Sequence, residues 1–168
     1  EGNLNNHLGV PFTLLRIKEE HEIAIIEMGA NQSGDIQELC DIANPTHGII
    51  TNIGKAHLEG FVNLDGVVKT KSALYHSVKK QNGVLFYNAD DLLLKSLIDN
   101  TTENISYGKE NAVVSGRILE LTPYLVISWR FKEYSSENIN TNMVGSYNLF
   151  NFLAAICIGN YFGVKEVE

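Results

Sequence analysis

Three short apolar runs, EIAIIEM (22–28), HGIITNI (47–53) and GVLFYN (83–88), recur between segments whose apolar residues fall at helical spacing. This alternation constrains the fold more than any other feature of the chain. The runs are short and rich in β-branched residues, and their apolar character is nearly continuous. That is the pattern of strands covered on both faces. Between them, GDIQELCDIA (34–43) has helical periodicity that Asn44-Pro45 breaks; a helix over 64–77 follows the second run, and DDLLLKSLI (90–98) follows the third. A short helix over 9–16 precedes the first. The resulting βαβα order predicts an α/β fold with a mostly parallel, doubly wound sheet.

Beyond about residue 106 the pattern changes. AVVSGRILEL (112–121) and YLVISWRFK (124–132) alternate partially around a Pro123 turn, predicting an antiparallel strand pair that extends or flanks the main sheet. The segment NLFNFLAAICIGNYFG (148–163) reads as an apolar helix packed on the core, with Gly163 as its C-cap.

Bulk properties narrow the function. At 168 residues and 44% hydrophobic, the chain suffices for one globular domain or most of one. Its net charge of −7, with no dense Lys/Arg cluster, argues against a nucleic-acid partner. No apolar run is long enough to span a bilayer, and the first residues lack the regions of a signal peptide, so a cytoplasmic location is expected. Cys40 and Cys157 lie far apart in apolar helical contexts, as buried reduced thiols would.

The residues that bear chemistry sit at the ends of the strand-like runs. Glu27 closes IAIIE, and His57 lies in the loop after the second run, TNIGKAHLEGF (51–61). Loops at the carboxyl ends of strands are where ligands bind in open α/β sheets. The two residues read equally well as a metal-binding pair and as a solvated carboxylate with a hydrogen-bonded loop histidine. Lys71, in KTKSALY, reads on composition as a solvated lysine, with Lys69 projecting from another side of the helix. Asn148 and Asn151 open the last helix; one of them fits an N-cap, and either amide fits the paired donor and acceptor of an adenine edge.

GNLNNHLGVPFTLL, IIEMGANQSGDI, PTHGIITNIGKAHLEGF, KTKSALY, NADD and VGSYNLFNFLAAI occur in an order that resembles the central domain of the Mur ligases across nearly the whole chain, most weakly between 100 and 140. GNLNNHLGVP and NIGKAHLEGF are most similar to the branch that adds D-alanyl-D-alanine. The resemblance implies an ATP-dependent ligase of peptidoglycan synthesis, in which ATP phosphorylates the carboxylate of a UDP-N-acetylmuramoyl-tripeptide. The resulting acyl phosphate is then attacked by the amine of D-alanyl-D-alanine. It further implies that Glu27, His57 and Lys71 hold Mg2+, Lys71 as a carbamate, with His57 and Lys71 acting in catalysis. By the same resemblance Asn148 and Asn151 lie near adenine, Asn5, Asn6 and Asn31 face the UDP-peptide, and the parent enzyme is a monomer. The family's phosphate loop, G-x-x-x-x-G-K-[ST], has no match in these residues. The expectation is therefore part of a central ATP-binding domain without its phosphate-loop strand, N-terminal UDP-binding domain or C-terminal domain, inactive and empty of cofactor by itself. Rival readings are another ATP-dependent amino-acid ligase of the superfamily and a non-catalytic binding domain.

Overall fold

The computed structural model describes residues 4–54, 61 and 63–165. The chain forms two compact units, Glu1–Val84 and Leu85–Glu168.

In the first unit, helix α1 (Gly9–Leu14) starts where Asn6 sets it. The Asn6 Oδ1 accepts from the N–H groups of Leu8 (3.1 Å) and Gly9 (2.9 Å), donors that a helix start leaves unpaired. Helix α2 (Asp35–Ala43) follows Gly34, whose φ of 98° is left-handed. It ends at Asn44, left-handed at φ 49°, which is the break expected at Asn44-Pro45. Strand β1 (His47–Ile49) and helix α3 (Leu64–Lys80) complete the unit. Asn63 caps α3 by accepting from Gly66 N at 3.0 Å, and Asp65 in the first turn and Lys79 and Lys80 in the last complement the helix dipole. The helix runs past its predicted end at 77 to Lys80, and the added turn carries one further core residue, the fully buried Val78, before its two lysines. Val10, Ile36, Leu39 and Cys40 form the buried centre, with Ile26, Met28, Ala73 and Leu74 packed against it.

Residues 22–28 differ from the expectation of a buried strand. They belong to no strand among the described residues, and Ile25 is 86% exposed. A strand requires a partner as well as a suitable composition, because only ladder hydrogen bonds satisfy its main chain. Here Ile26 and Met28 turn inward to the α1–α2 core while Ile23 and Ile25 do not.

In the second unit, which takes in β2 (Val84–Asn88) from Leu85 onward, strands β2, β3 (Glu103–Gly108), β4 (Val114–Glu120), β5 (Val126–Phe131) and β6 (Tyr134–Ser135) lie side by side in that order, and β7 (Ile139–Asn140) also pairs with β5. β3 and β4 are parallel through Tyr107↔Val114 and Gly108↔Ser115; β4 and β5 form the expected antiparallel pair. The NADD segment is the turn between β2 and α4 (Leu92–Ser96). Asn88 Oδ1 accepts from Asp90 N at 3.0 Å, and Asp91 caps α4 by accepting from Leu93 N and Leu94 N. Helix α5 (Asn148–Tyr161) packs on β3 and β4. Its end is a Schellman motif, in which Val164 N donates to Gly159 O (2.9 Å) and Gly163 N to Asn160 O (3.2 Å), with Gly163 at φ 75°. Gly116 of β4 lets α5 approach: a Cβ there would lie 2.6 Å from Leu153 Cδ2 and 2.9 Å from Ser128 O.

Both cysteines are buried and free, as expected. Burial pushes the Cys157 thiol up to about 12; burial, aided by Cys157 and Asp91, pushes the Tyr107 phenol up to about 12. Both groups keep their protons longer when folded than when unfolded, where they titrate near 9.0 and 10.0. The unfolded chain therefore binds fewer protons in this range, and stability, intact below about pH 9, falls as pH rises towards about 12. Urea midpoints measured at stepped alkaline pH should show this decline, and Cys157→Ala should make it shallower.

Candidate functional site

The residues flagged in the sequence fall into separate local clusters. In the first unit, Asn5 Nδ2 donates to Glu27 Oε1 at 2.9 Å, and Gly29 N donates to Asn5 O at 2.7 Å. Glu27 thus leads not from the end of a ladder strand but from a segment tied to residue 5. Its carboxylate is exposed and keeps one oxygen uncommitted among the described residues.

Lys71 lies on α3, half-buried, and its Nζ donates to the main-chain oxygen of Asn52 at 3.0 Å. Burial holds its ammonium below the usual lysine range. Lys69, two positions earlier, is exposed, consistent with its placement on another side of the helix. His57 lies outside the described residues. Asn6 is occupied as the α1 cap described above. Asn31 is exposed; its N–H donates to Asp35 Oδ2 at 2.8 Å, while its side-chain amide makes no hydrogen bond among the described residues.

In the second unit, neither Asn148 nor Asn151 is the N-cap of α5, a position held by Tyr147 without a side-chain bond. Asn148, buried, donates from Nδ2 to Val144 O at 2.8 Å and accepts at Oδ1 from Asn151 Nδ2 at 2.9 Å. Asn151 is exposed. The two amides therefore act together, one in the interior and one at the surface.

No cluster of three or more His, Cys, Asp or Glu exists among the described residues. A closed protein cage for a metal is thus absent from them. Of the described residues flagged as metal ligands, the one oxygen donor left open to solvent is the exposed Glu27 carboxylate, an oxygen ligand of the kind a hard cation that keeps water takes in small number; Lys71, which donates to Asn52 O, is no ligand as an ammonium.

The sequence pattern that defines the Mur ligase middle domain matches residues 1–159. The chain belongs to that family. It is 32% identical over 171 residues to the UDP-N-acetylmuramoyl-tripeptide–D-alanyl-D-alanine ligase of Bacillus subtilis, a match covering 99% of the chain and 36% of the relative. The enzyme of the same name from Haemophilus influenzae is 33% identical, with the same coverage. The chain thus spans little more than a third of the length of these relatives. Among solved structures, MurF from Acinetobacter baumannii superposes with a TM-score of 0.88 at 30% identity, covering 99% of the chain and 37% of that protein. MurF from Thermotoga maritima, solved in complex with ADP, superposes with a TM-score of 0.84 at 24% identity and supports the fold alone. These likenesses bear out the α/β class, a sheet of mostly parallel strands with an antiparallel pair.

Two participants escaped the sequence reading. The main-chain oxygen of Asn52 receives Lys71, and a carbonyl carries no residue-type signal. Gly29 receives the Asn5 amide against its bare Cα; the glycine of MGAN was a visible signal, but nothing in the spacing says which residue needs its space.

Proposed function

We propose that the chain is part of the central, ATP-handling domain of a ligase that joins D-alanyl-D-alanine to a UDP-N-acetylmuramoyl-tripeptide in peptidoglycan synthesis. The observation that carries this reading is its similarity, along 99% of its length, to ligases of that name. The remaining domains, the phosphate loop, a monomeric state and a cytoplasmic location belong to the proposal for the whole protein. No helix among the described residues is long and apolar enough to cross a membrane.

In this reading Glu27, His57 and a carbamylated Lys71 hold Mg2+, which when bound screens negative charge on the transferring phosphoryl group. Burial of Lys71 favours its neutral amine, the form whose nitrogen adds to the carbon of CO2 and releases a proton to solvent. The carbamate keeps one N–H, so the bond to the Asn52 carbonyl is compatible with the modification. Asn148 holds Asn151, which meets the adenine edge. Asn31 is the asparagine best placed to meet the UDP-peptide, since Asn5 and Asn6 already have intramolecular bonds.

The full-length protein should release ADP when supplied with UDP-muramoyl-tripeptide, and D-alanyl-D-alanine should be preferred over single amino acids. Preference for a single amino acid would assign it to another ligase of the superfamily. Absence of turnover with every amine would favour a non-catalytic domain.

A further inference from the structure

We infer that Asn5 is a positioning residue for Glu27, fixing the orientation of the carboxylate that faces the cation, rather than a contact for the UDP-peptide. The inference rests on the proposed role of Glu27 as a metal ligand.

Three observations meet at this residue. The Asn5 amide donates to one carboxylate oxygen, Oε1, at 2.9 Å. Its main-chain oxygen accepts from Gly29 N at 2.7 Å, so the stretch carrying Glu27 is bound to Asn5 at two points, one side chain and one main chain. Finally, a Cβ on Gly29 would lie 2.7 Å from Asn5 Nδ2, 2.8 Å from Cγ and 2.9 Å from Oδ1, so the whole amide group rests against the bare Cα of that glycine.

Asn5 is itself held firmly. On one side the main chain of Leu4 presses on Gly9, where a Cβ would lie 2.4 Å from the Leu4 carbonyl carbon; on the other, Asn6 caps α1. The clamp therefore refers Glu27 to the start of a helix whose Val10 is fully buried.

The chemistry of the partner matters as much as its place. An exposed glutamate samples several rotamers, and a hydrogen bond to one oxygen removes that freedom before a cation arrives. An amide does so without charge. A lysine or arginine in its place would neutralise the carboxylate and compete with the cation, whereas an aspartate would repel it. Donation through nitrogen also fixes which way the Asn5 amide faces, since its oxygen turned to Glu27 would oppose two acceptors.

The test uses the full-length ligase and four variants, Asn5→Ala, Asn5→Asp, Gly29→Ala and Glu27→Gln. Manganese binding is measured by paramagnetic resonance in the presence of ADP, and the Mg2+ concentration for half-maximal turnover and KM for the UDP-peptide are measured in parallel. Asn5→Ala is expected to weaken manganese binding and raise the Mg2+ requirement about 10–100-fold, the usual effect of removing a residue that orients a ligand. KM for the UDP-peptide should stay unchanged. Asn5→Asp should be worse than Asn5→Ala, and Gly29→Ala should reproduce the defect by displacing the amide without altering either partner. If Asn5→Ala fails to fold, Gly29→Ala and Asn5→Asp carry the same comparison. Normal metal affinity in these variants, or a defect confined to the KM of the UDP-peptide, would overturn the inference. Normal metal affinity in Glu27→Gln would instead overturn the metal-ligand reading on which it rests.

Discussion

Lys71→Ala in the full-length ligase should lower turnover about 10²–10³-fold, the scale seen when one electrostatic stabiliser of a developing charge is removed. Stability should change little. The side chain is only half-buried, and it donates to a main-chain oxygen that can be met by water once the lysine is gone. An ammonium cannot ligate a cation, so the proposed function of Lys71 requires its modification. A short carboxylate added to the Lys71→Ala enzyme should therefore restore part of the activity by supplying the missing oxygens. Lys69→Ala, on the exposed side of α3, should be nearly silent, and His57→Ala should resemble Lys71→Ala without rescue by the carboxylate. Steady-state turnover measured alongside thermal unfolding checks all five statements. Equal activity in Lys71→Ala and Lys69→Ala would remove Lys71 from the site.

Gly116→Val should destabilise the second unit by about 2–3 kcal/mol, at the upper part of the usual range for overpacking a well-filled core. The first added carbon already lies 2.6 Å from Leu153 Cδ2 and 2.9 Å from Ser128 O. Leu153 is fully buried on α5, so it has no solvent to turn into, and the carbonyl belongs to β5, paired in register with β4. Either the helix lifts from the sheet or the strand pair spreads. Denaturant unfolding of the purified protein gives the loss, and Leu153→Ala combined with Gly116→Val should recover part of it, because the two residues compete for one space. A Gly116→Val protein with an unchanged midpoint would show that α5 sits less closely on β4 than described.

Elements governed by local chemistry were legible from the sequence. The break at Asn44-Pro45, the Gly163 terminus of α5 and the β4–β5 pair around Pro123 each depend on residues within a few positions of one another. Elements governed by a neighbour were not. Residues 22–28 have a strand's composition without a ladder among the described residues, whereas β3 is a strand with a mixed sequence, ENISYG, and is held by its neighbours in the sheet. The site followed the same division. The resemblance places Asn5, with Asn6 and Asn31, towards the UDP-peptide, and nothing in the spacing of Asn5 from Glu27 along the chain hints that the two side chains touch. Likewise the bonds from the N–H groups of Leu8 and Gly9 to the Asn6 side chain depend on how the chain turns into α1, which residue type alone does not give.

The pair of asparagines at the start of α5 has a polarity. An isolated asparagine amide can rotate by half a turn and exchange its oxygen for its nitrogen at small cost. Asn148 cannot, because its nitrogen is committed to Val144 O, and that commitment leaves its oxygen facing Asn151. Asn151 must then answer with nitrogen; reversed, it would set two oxygens against each other and lose the bond. The buried residue thereby dictates what the exposed one can offer, an oxygen and one remaining N–H. Changing Asn148 to a residue with a different complement of donors would alter that offer without touching the surface.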